Sequence, residues 1–343
     1  MFRRQKIRLA LYALAIFTAV APPAMADASA VVFMYHRFGE TSFTSTNITI
    51  EQFEAHLKEL ESGAYNVLSL PDIVDALRRG TSLPERTVGI SADDAYLSVY
   101  TVAWPRLKEA GFPFTLFVGT EAVDLGLKSY MNWRQIREMA DAGVTIGHHT
   151  ASHPHMLAAA AAGSNRRELA EATQRFVEKL GSKPELFAYP YGETSLAVRK
   201  LIMEDGFSAA FGQHSGVIGG DGDLYSLPRF SMSEKYGALT RFRLAANALP
   251  LTVTEVTPPD PLITDNNPPA AGFTVTGGIK GLERLNCFSS HEGKVRVIRL
   301  ADTRVEVRLR KPLPKGRTRL NCTLLAADGR WRWLGRQFYF SAR

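Results

Sequence analysis

Four of the chain's eight histidines stand within eight consecutive residues, His148-His149-Thr150-Ala151-Ser152-His153-Pro154-His155. Imidazole is the commonest neutral ligand for a metal ion. Two histidines and one carboxylate leave open positions for water and substrate, which is what a catalytic zinc site requires. Several pairs among the four have a spacing that could bind, and a surface histidine cluster is the other reading. The nearest carboxylates with a special placement are Asp93 and Asp94, directly after the strand-like run Thr87–Ala92. Two adjacent carboxylates behind a buried strand repel each other and lose solvation, so they need a cation or a shared proton, unless they form a solvated turn. A divalent cation on one would leave the other free as a base.

The elements that must position these residues follow a regular rhythm. Residues 31–250 alternate short apolar runs with helical patterns. The runs are Val31–Tyr35, Thr87–Ala92, Phe114–Val118, Val144–Gly147, Leu186–Tyr189 and Phe207–Phe211. Helices are expected to start near Pro71, Leu97, Trp133, Asn165 and Ser195, and Thr49 is placed to cap another, whose Phe53, Leu57 and Leu60 share a face. Gly111, Gly143, Gly181 and Gly206 mark helix ends before the next strand. This rhythm predicts parallel strands with helical crossovers, as a barrel or an open sheet. The chemically capable residues all follow strand ends: His36 after Tyr35, Asp93-Asp94, His149 and His153, and Pro190-Tyr191-Gly192. Parallel β/α folds build their active sites at that face.

The chain's two ends differ from this middle. Arg3, Arg4, Lys6 and Arg8 precede the apolar run Leu9–Val20, then Pro22-Pro23 and Ala24-Met25-Ala26. The pattern is that of a signal peptide over residues 1–26 with cleavage after Ala26, the apolar core being too short to span a bilayer. An exported chain, periplasmic or secreted, is therefore expected. Residues 257–270 hold Pro258, Pro259, Pro261, Pro268 and Pro269 and read as a linker. After it the period becomes two. Val305, Val307 and Leu309, and then Thr318, Leu320, Cys322 and Leu324, alternate with polar residues, which predicts a small β-sandwich over residues 271–343. The two cysteines, Cys287 and Cys322, are expected to pair in an oxidising compartment. Residues 27–265 carry a net −8, whereas residues 266–343 hold sixteen basic against five acidic side chains, a net +11. A basic module suits an anionic polymer, a cell wall or a membrane surface, or is a solvated face. Nucleic acid is not an expected partner, because no reading element is present. Trp331 and Trp333 could serve a glycan-binding face or the β-core.

The segment His149-Thr150-Ala151-Ser152-His153-Pro154 matches the H-[ST]-x-x-H-P motif of the polysaccharide deacetylases, the NodB-homology domains. Ser91-Ala92-Asp93-Asp94-Ala95 resembles that family's T-F-D-D-G, and Ala188-Tyr189-Pro190-Tyr191-Gly192 resembles its R-P-P-Y-G. The resemblance covers most of residues 31–230. It implies an α/β fold, a distorted (β/α) barrel over residues 27–256, with the all-β C-terminal domain, an immunoglobulin-like sandwich, lying outside it. It implies metal-dependent hydrolysis of N-acetyl groups from a polysaccharide rich in N-acetylhexosamine, with release of acetate. Asp94, His149 and His153 would hold the metal, zinc first, with cobalt, nickel or iron also suited to the set. Asp93 would be the general base, and the Tyr191 backbone N–H would help stabilise the oxyanion. The general-acid histidine of the family follows an apolar strand, and here Val32-Phe33-Met34-Tyr35-His36 offers it at the start of the domain, an order similar to the circularly permuted deacetylases of exopolysaccharides such as poly-N-acetylglucosamine. The acid is thus assigned to His36, with His214 as the second candidate.

Three departures stand out. Ala92 replaces an aromatic residue, Ala95 replaces a glycine, and Ala188 replaces the arginine that orients the base, a charge Arg229 could restore. They leave room for a non-catalytic carbohydrate-binding or assembly protein on the same fold, or for a deacetylase of small or O-acetylated substrates.

Overall fold

Seven residues with hardly a polar side chain among them, Ser29–Tyr35, form the first strand, β1, and every one from Ala30 onward is buried. Strand side chains alternate between the two faces of a sheet, so an unbroken apolar run requires cover on both. Val31, Phe33 and Tyr35 join a core with Phe53, Leu57 and Leu60 of helix α1 (Ile50–Glu61), whereas Ala30 and Val32 pack with Leu70, Ile73, Val74 and Leu77 of helix α2 (Leu70–Arg79). Thr49 caps α1 in a reciprocal capping box with Gln52, as the sequence predicts.

The computed structural model describes residues 29–158, 161–220 and 222–341, so the signal-peptide expectation for residues 1–26 lies outside it. Beside β1 run β2 (Thr87–Asp93), β3 (Thr115–Val118), β4 (Thr145–His148), β5 (Leu186–Ala188) and β6 (Ala209–Phe211), each parallel to the one before. Tyr35 lies opposite Ala92, Ala92 opposite Leu116, Phe117 opposite Gly147, His148 opposite Phe187 and Ala188 opposite Phe211. With that register the C-terminal ends of all six strands open onto one edge. The segment after β6 reaches back across the fold. Leu227 exchanges backbone hydrogen bonds with Ala210 and Gly212, and Phe230–Ser231 pairs parallel to β1.

The second sheet is antiparallel in its main ladder. Its strands are β7 (Val253–Thr257), β8 (Ala271–Val275), β9 (Asn286–Ser289), β10 (Gly293–Arg299), β11 (Arg304–Arg308), β12 (Gly316–Leu325) and β13 (Trp331–Phe340). Strand β10 is shared: residues 293–295 pair with β9 and residues 296–299 with β11. The sheet thereby divides into two leaves around one core, where Phe273, Val305 and Val307 meet Leu320, Leu324 and Phe338. Thr318, Leu320, Cys322 and Leu324 are all buried, as their spacing predicts. Cys287 and Cys322 form the expected disulfide, and they stand opposite each other on neighbouring strands of one leaf.

The stretch expected to be a linker is more structured than its prolines suggest. Val253–Thr257 already pairs with β8, and Leu262–Ile263 pairs with β13. A two-residue strand has no period for the sequence to display. The two domains meet closely. Trp333 sits edge-on to Phe230 with ring centroids 5.1 Å apart, and a Cβ on Gly335 would stand 1.6 Å from the Ser215 carbonyl oxygen. Trp333 is therefore part of the seam between domains.

Candidate active site

Four loops leaving the parallel strands converge on a cavity of about 750 Å³ whose wall includes His36, Asp94, Tyr96, His153 and Tyr191. Nine non-glycine residues among those described have positive φ, and five of them lie in these loops: Asp94 (73°), Ala95 (53°), Thr150 (66°), His153 (56°) and Tyr191 (58°). Backbone strain of this kind persists only where the surroundings over-determine it, and it gathers at functional sites. Ala95 occupies the left-handed region that a glycine would adopt at lower cost, as its place in the motif implies. Gly192 is irreplaceable for a second reason: a Cβ there would lie 2.5 Å from the Gln213 backbone nitrogen.

The histidine loop is held from below. Glu168, on helix α3 (Ala161–Leu180), accepts hydrogen bonds from the Ala151 and Ser152 N–H groups and from the Ser152 hydroxyl. The His153 N–H donates to Thr150 Oγ1. The four histidines then separate into three roles. His148 is fully buried among Phe176, Phe187 and Phe207, and burial pushes its pKa down to about 3. His155 stacks on the Tyr191 ring at 4.2 Å and pairs with Glu193. His149 and His153 both turn their Nε2 atoms toward one oxygen of Asp94, each 3.5 Å away.

That geometry suits a cation better than hydrogen bonding. A donor–acceptor distance of 3.5 Å is too long for a strong bond, whereas donors about 2.0–2.1 Å from a tetrahedral metal lie roughly 3.4 Å apart. His149 Nδ1 is engaged with the Ala188 carbonyl at 2.7 Å, which leaves Nε2 buried with no hydrogen-bond partner. Metal-binding histidines are commonly oriented by such a carbonyl on the other ring nitrogen. The ligand atoms of Asp94, His149 and His153 all lie within 4.8 Å of one another. For His153, burial and then the neighbouring His149 bring the pKa down to about 4, which keeps its ring neutral. Burial works to raise the Asp94 carboxyl, but the proximity of His149, and then of His36 and His153, prevails and holds it well below the usual range.

Asp93 has a different environment. It is fully buried behind the cavity wall, where Arg229 donates to both its oxygens, at 2.7 and 2.8 Å. Burial raises its pKa, yet the Arg229 guanidinium, with His149 and His36, outweighs this and keeps it ionised. Arg229 is itself fully buried, and its Nε donates to the Gly212 carbonyl. His36 lies on the cavity wall with Nδ1 buried and unpartnered. His214 lies elsewhere, on a separate cavity of about 330 Å³ between the domains, with Arg199, Arg336 and Leu334. Sequence reasoning missed one group entirely. Arg317 and Arg319 of strand β12 line the same cavity as Asp94, and Gln337 of β13 donates to the Tyr191 carbonyl at 3.0 Å. No local motif signals them, because they come from the second domain.

Comparison with known proteins follows the same lines. The polysaccharide deacetylase family profile matches residues 80–210, a span that holds Asp93, Asp94, His149, His153 and Tyr191 but neither His36 nor Arg229. The poly-beta-1,6-N-acetyl-D-glucosamine N-deacetylase of Staphylococcus epidermidis is 25% identical over 212 residues, 57% of this chain and 71% of that protein. The solved structure of IcaB from Ammonifex degensii is 28% identical, with a TM-score of 0.59 over 65% of this chain and 99% of its own. The Streptococcus pyogenes deacetylase PplD, in complex with acetate, shares the fold at 20% identity and a TM-score of 0.59, over 64% of this chain and 99% of its own. Residues 80–210 form a polysaccharide deacetylase domain, of a family whose members are hydrolases of carbon–nitrogen bonds.

Proposed function

We propose that this protein is an exported, metal-dependent deacetylase that hydrolyses N-acetyl groups of a polysaccharide containing N-acetylhexosamine, releasing acetate. The observation that carries the reading is the buried, unpartnered Nε2 of His149, which shares one Asp94 oxygen with His153 at 3.5 Å. The fold is read as a distorted (β/α) barrel carrying an immunoglobulin-like sandwich. Export, to the periplasm or beyond, rests on the signal sequence in residues 1–26.

Asp94, His149 and His153 would hold a divalent cation, which would supply Lewis acidity toward the acetyl carbonyl and a water acidic near neutral pH. Asp93 is kept ionised by Arg229, and each of its oxygens retains a second lone pair, with which it takes a proton from the attacking water. The Tyr191 N–H, at the mouth of a strained turn, donates to the carbonyl oxygen as negative charge develops there, and one such donor is worth about 3–4 kcal/mol. His36 stands on the same cavity wall and protonates the departing sugar nitrogen, otherwise a poor leaving group. The carbon–nitrogen bond breaks as a carbon–oxygen bond forms, giving acetate and a free amine on the polymer. The charge missing at Ala188 is supplied to Asp93 by Arg229, so that departure from the motif does not count against catalysis.

Acetate release from β-1,6-linked N-acetylglucosamine oligomers, with and without chelator, tests this reading. Asp93→Asn is expected to retain stoichiometric metal and lose turnover. Wild-type turnover in that variant would remove Asp93 as the base, and chelator-resistant acetate release would remove the metal.

A further inference from the structure

Arg319 presents an energetic problem that the reaction above does not use. Its side chain is half-buried in the wall of the active-site cavity. Of its five guanidinium N–H groups, one donates, from Nε to Gln337 Oε1 at 3.2 Å. Among the described residues no carboxylate lies within ion-pair distance of it. Its neighbour on the same face of β12 is Arg317, another cation of the same cavity. Burial, and next the charge of Arg317, pull the Arg319 guanidinium below its ordinary pKa. Arg317 is partly balanced, with Nε 3.6 Å from Glu193 and Nη1 donating to the Tyr191 carbonyl at 3.4 Å. The remaining carboxylates on the wall, Asp94 and Glu121, pair with neither arginine.

Buried charge is costly unless paired, and an arginine with free N–H groups is shaped for a planar anion. Because both side chains line the cavity of Asp94 and Tyr191, the anion they face is a part of whatever occupies the active site. We propose that Arg317 and Arg319 form an anion subsite contributed by the C-terminal domain, and that the polysaccharide substrate carries a carboxylate or other acidic substituent close to the N-acetyl group removed. This rests on the deacetylase reading. The same pair disfavours a polymer that is already rich in free amines, since every deacetylation adds a cation beside two guanidinium groups.

The test compares a β-1,4-linked N-acetylglucosamine hexamer with the same hexamer bearing one C6 carboxylate, using the full-length chain. Acetate release gives KM and kcat, and calorimetry gives affinity independently of turnover. The wild type is expected to show a KM and a dissociation constant about tenfold lower for the carboxylated hexamer, the scale of one charge-assisted contact. Raising the salt concentration should narrow this difference. Arg319→Gln should abolish the preference, while Arg319→Lys, which keeps the charge, should preserve most of it. Equal affinity for the two hexamers in the wild type overturns the proposal, as does an equal loss of preference in the lysine and glutamine variants. A substitution that changes only inhibition by free acetate assigns the pair to the product and overturns it too. If neither these hexamers nor the β-1,6-linked oligomers release acetate, the deacetylase reading fails, while the calorimetric comparison still decides whether the anion subsite exists.

Discussion

The two walls of the active-site cavity are built by different rules. On one side, side chains leave the ends of parallel strands: His36 after β1, Asp94 after β2, His149 and His153 after β4. The backbone is strained at Asp94 and His153, and two polar atoms, His36 Nδ1 and His149 Nε2, are buried without partners. On the other side, Arg317, Arg319 and Gln337 project from the faces of two long antiparallel strands, in regular geometry, and Arg317 and Gln337 reach Tyr191 across the seam. A site at strand ends fixes a few atoms closely and concentrates its chemistry. A site on strand faces offers a broad surface whose members can be adjusted singly. The first wall should therefore respond to substitution in an all-or-none manner, and the second by degrees.

The largest effect is expected at the first wall. Asp94→Asn should abolish stoichiometric metal, measured by elemental analysis, and reduce acetate release by about 10³-fold or more, the equivalent of roughly 4 kcal/mol. Retention of metal with unchanged turnover would break the comparison at its strongest point. Next comes Arg229→Gln. This leaves the Asp93 carboxylate buried and without its cation, a change that typically costs about 3–5 kcal/mol and is read from denaturant unfolding. A loss below about 1 kcal/mol would mean that water reaches Asp93, and that its ionisation does not depend on Arg229.

A smaller effect tests the seam between the walls. His214 lies there, and burial, with the charges of Arg336, Arg319, Arg199 and Arg229, holds its pKa down to about 4. On acidification the unfolded chain takes up this proton first, near pH 6.5, and the folded chain only near 4. Stability is thus complete above about pH 6.5 and falls between 6.5 and 4, by up to about 3 kcal/mol from this group. His56, buried with a pKa also near 4, adds a slope of the same sign within the first domain. Unfolding midpoints over this range should show the decline, and His214→Gln should flatten part of it. A slope unchanged by that substitution would place the acid sensitivity away from the seam.

The smallest effect belongs to the second wall. Gln337→Ala removes the hydrogen bond to the Tyr191 carbonyl, a neutral contact worth about 1 kcal/mol. A fall in kcat of roughly fivefold is expected, with metal content unchanged. A loss as large as that of Asp94→Asn would erase the distinction between walls and make the C-terminal domain an integral part of the catalytic centre.

Much of the first wall was legible from local pattern. The apolar run before His36, the Asp pair and the His149–His153 spacing each lie within a few residues, and strand periodicity alone sends them to a common edge. The period-two alternation in residues 304–324 likewise placed Cys322 inward and the core of the second domain correctly. Legibility failed where contacts join distant segments. The alternation of Arg317 and Arg319 with buried residues marks both as outward-facing, and in sequence nothing separates them from the other arginines of a domain with net charge +11. The short pairing of Leu262–Ile263 with β13 inside a proline-rich stretch had no period to reveal it.

Sequence by itself determined the alternation of strands and helices in residues 31–250 and the period-two strands that follow, because those depend on side-chain type and on spacings shorter than one element. Only the tertiary structure decided which histidines stay in the core, that Arg229 rather than a neighbour in the chain neutralises Asp93, and that the basic domain turns two guanidinium groups into the cavity. These outcomes depend on packing between segments far apart in the chain, where the direction of a side chain is set by the burial of everything around it.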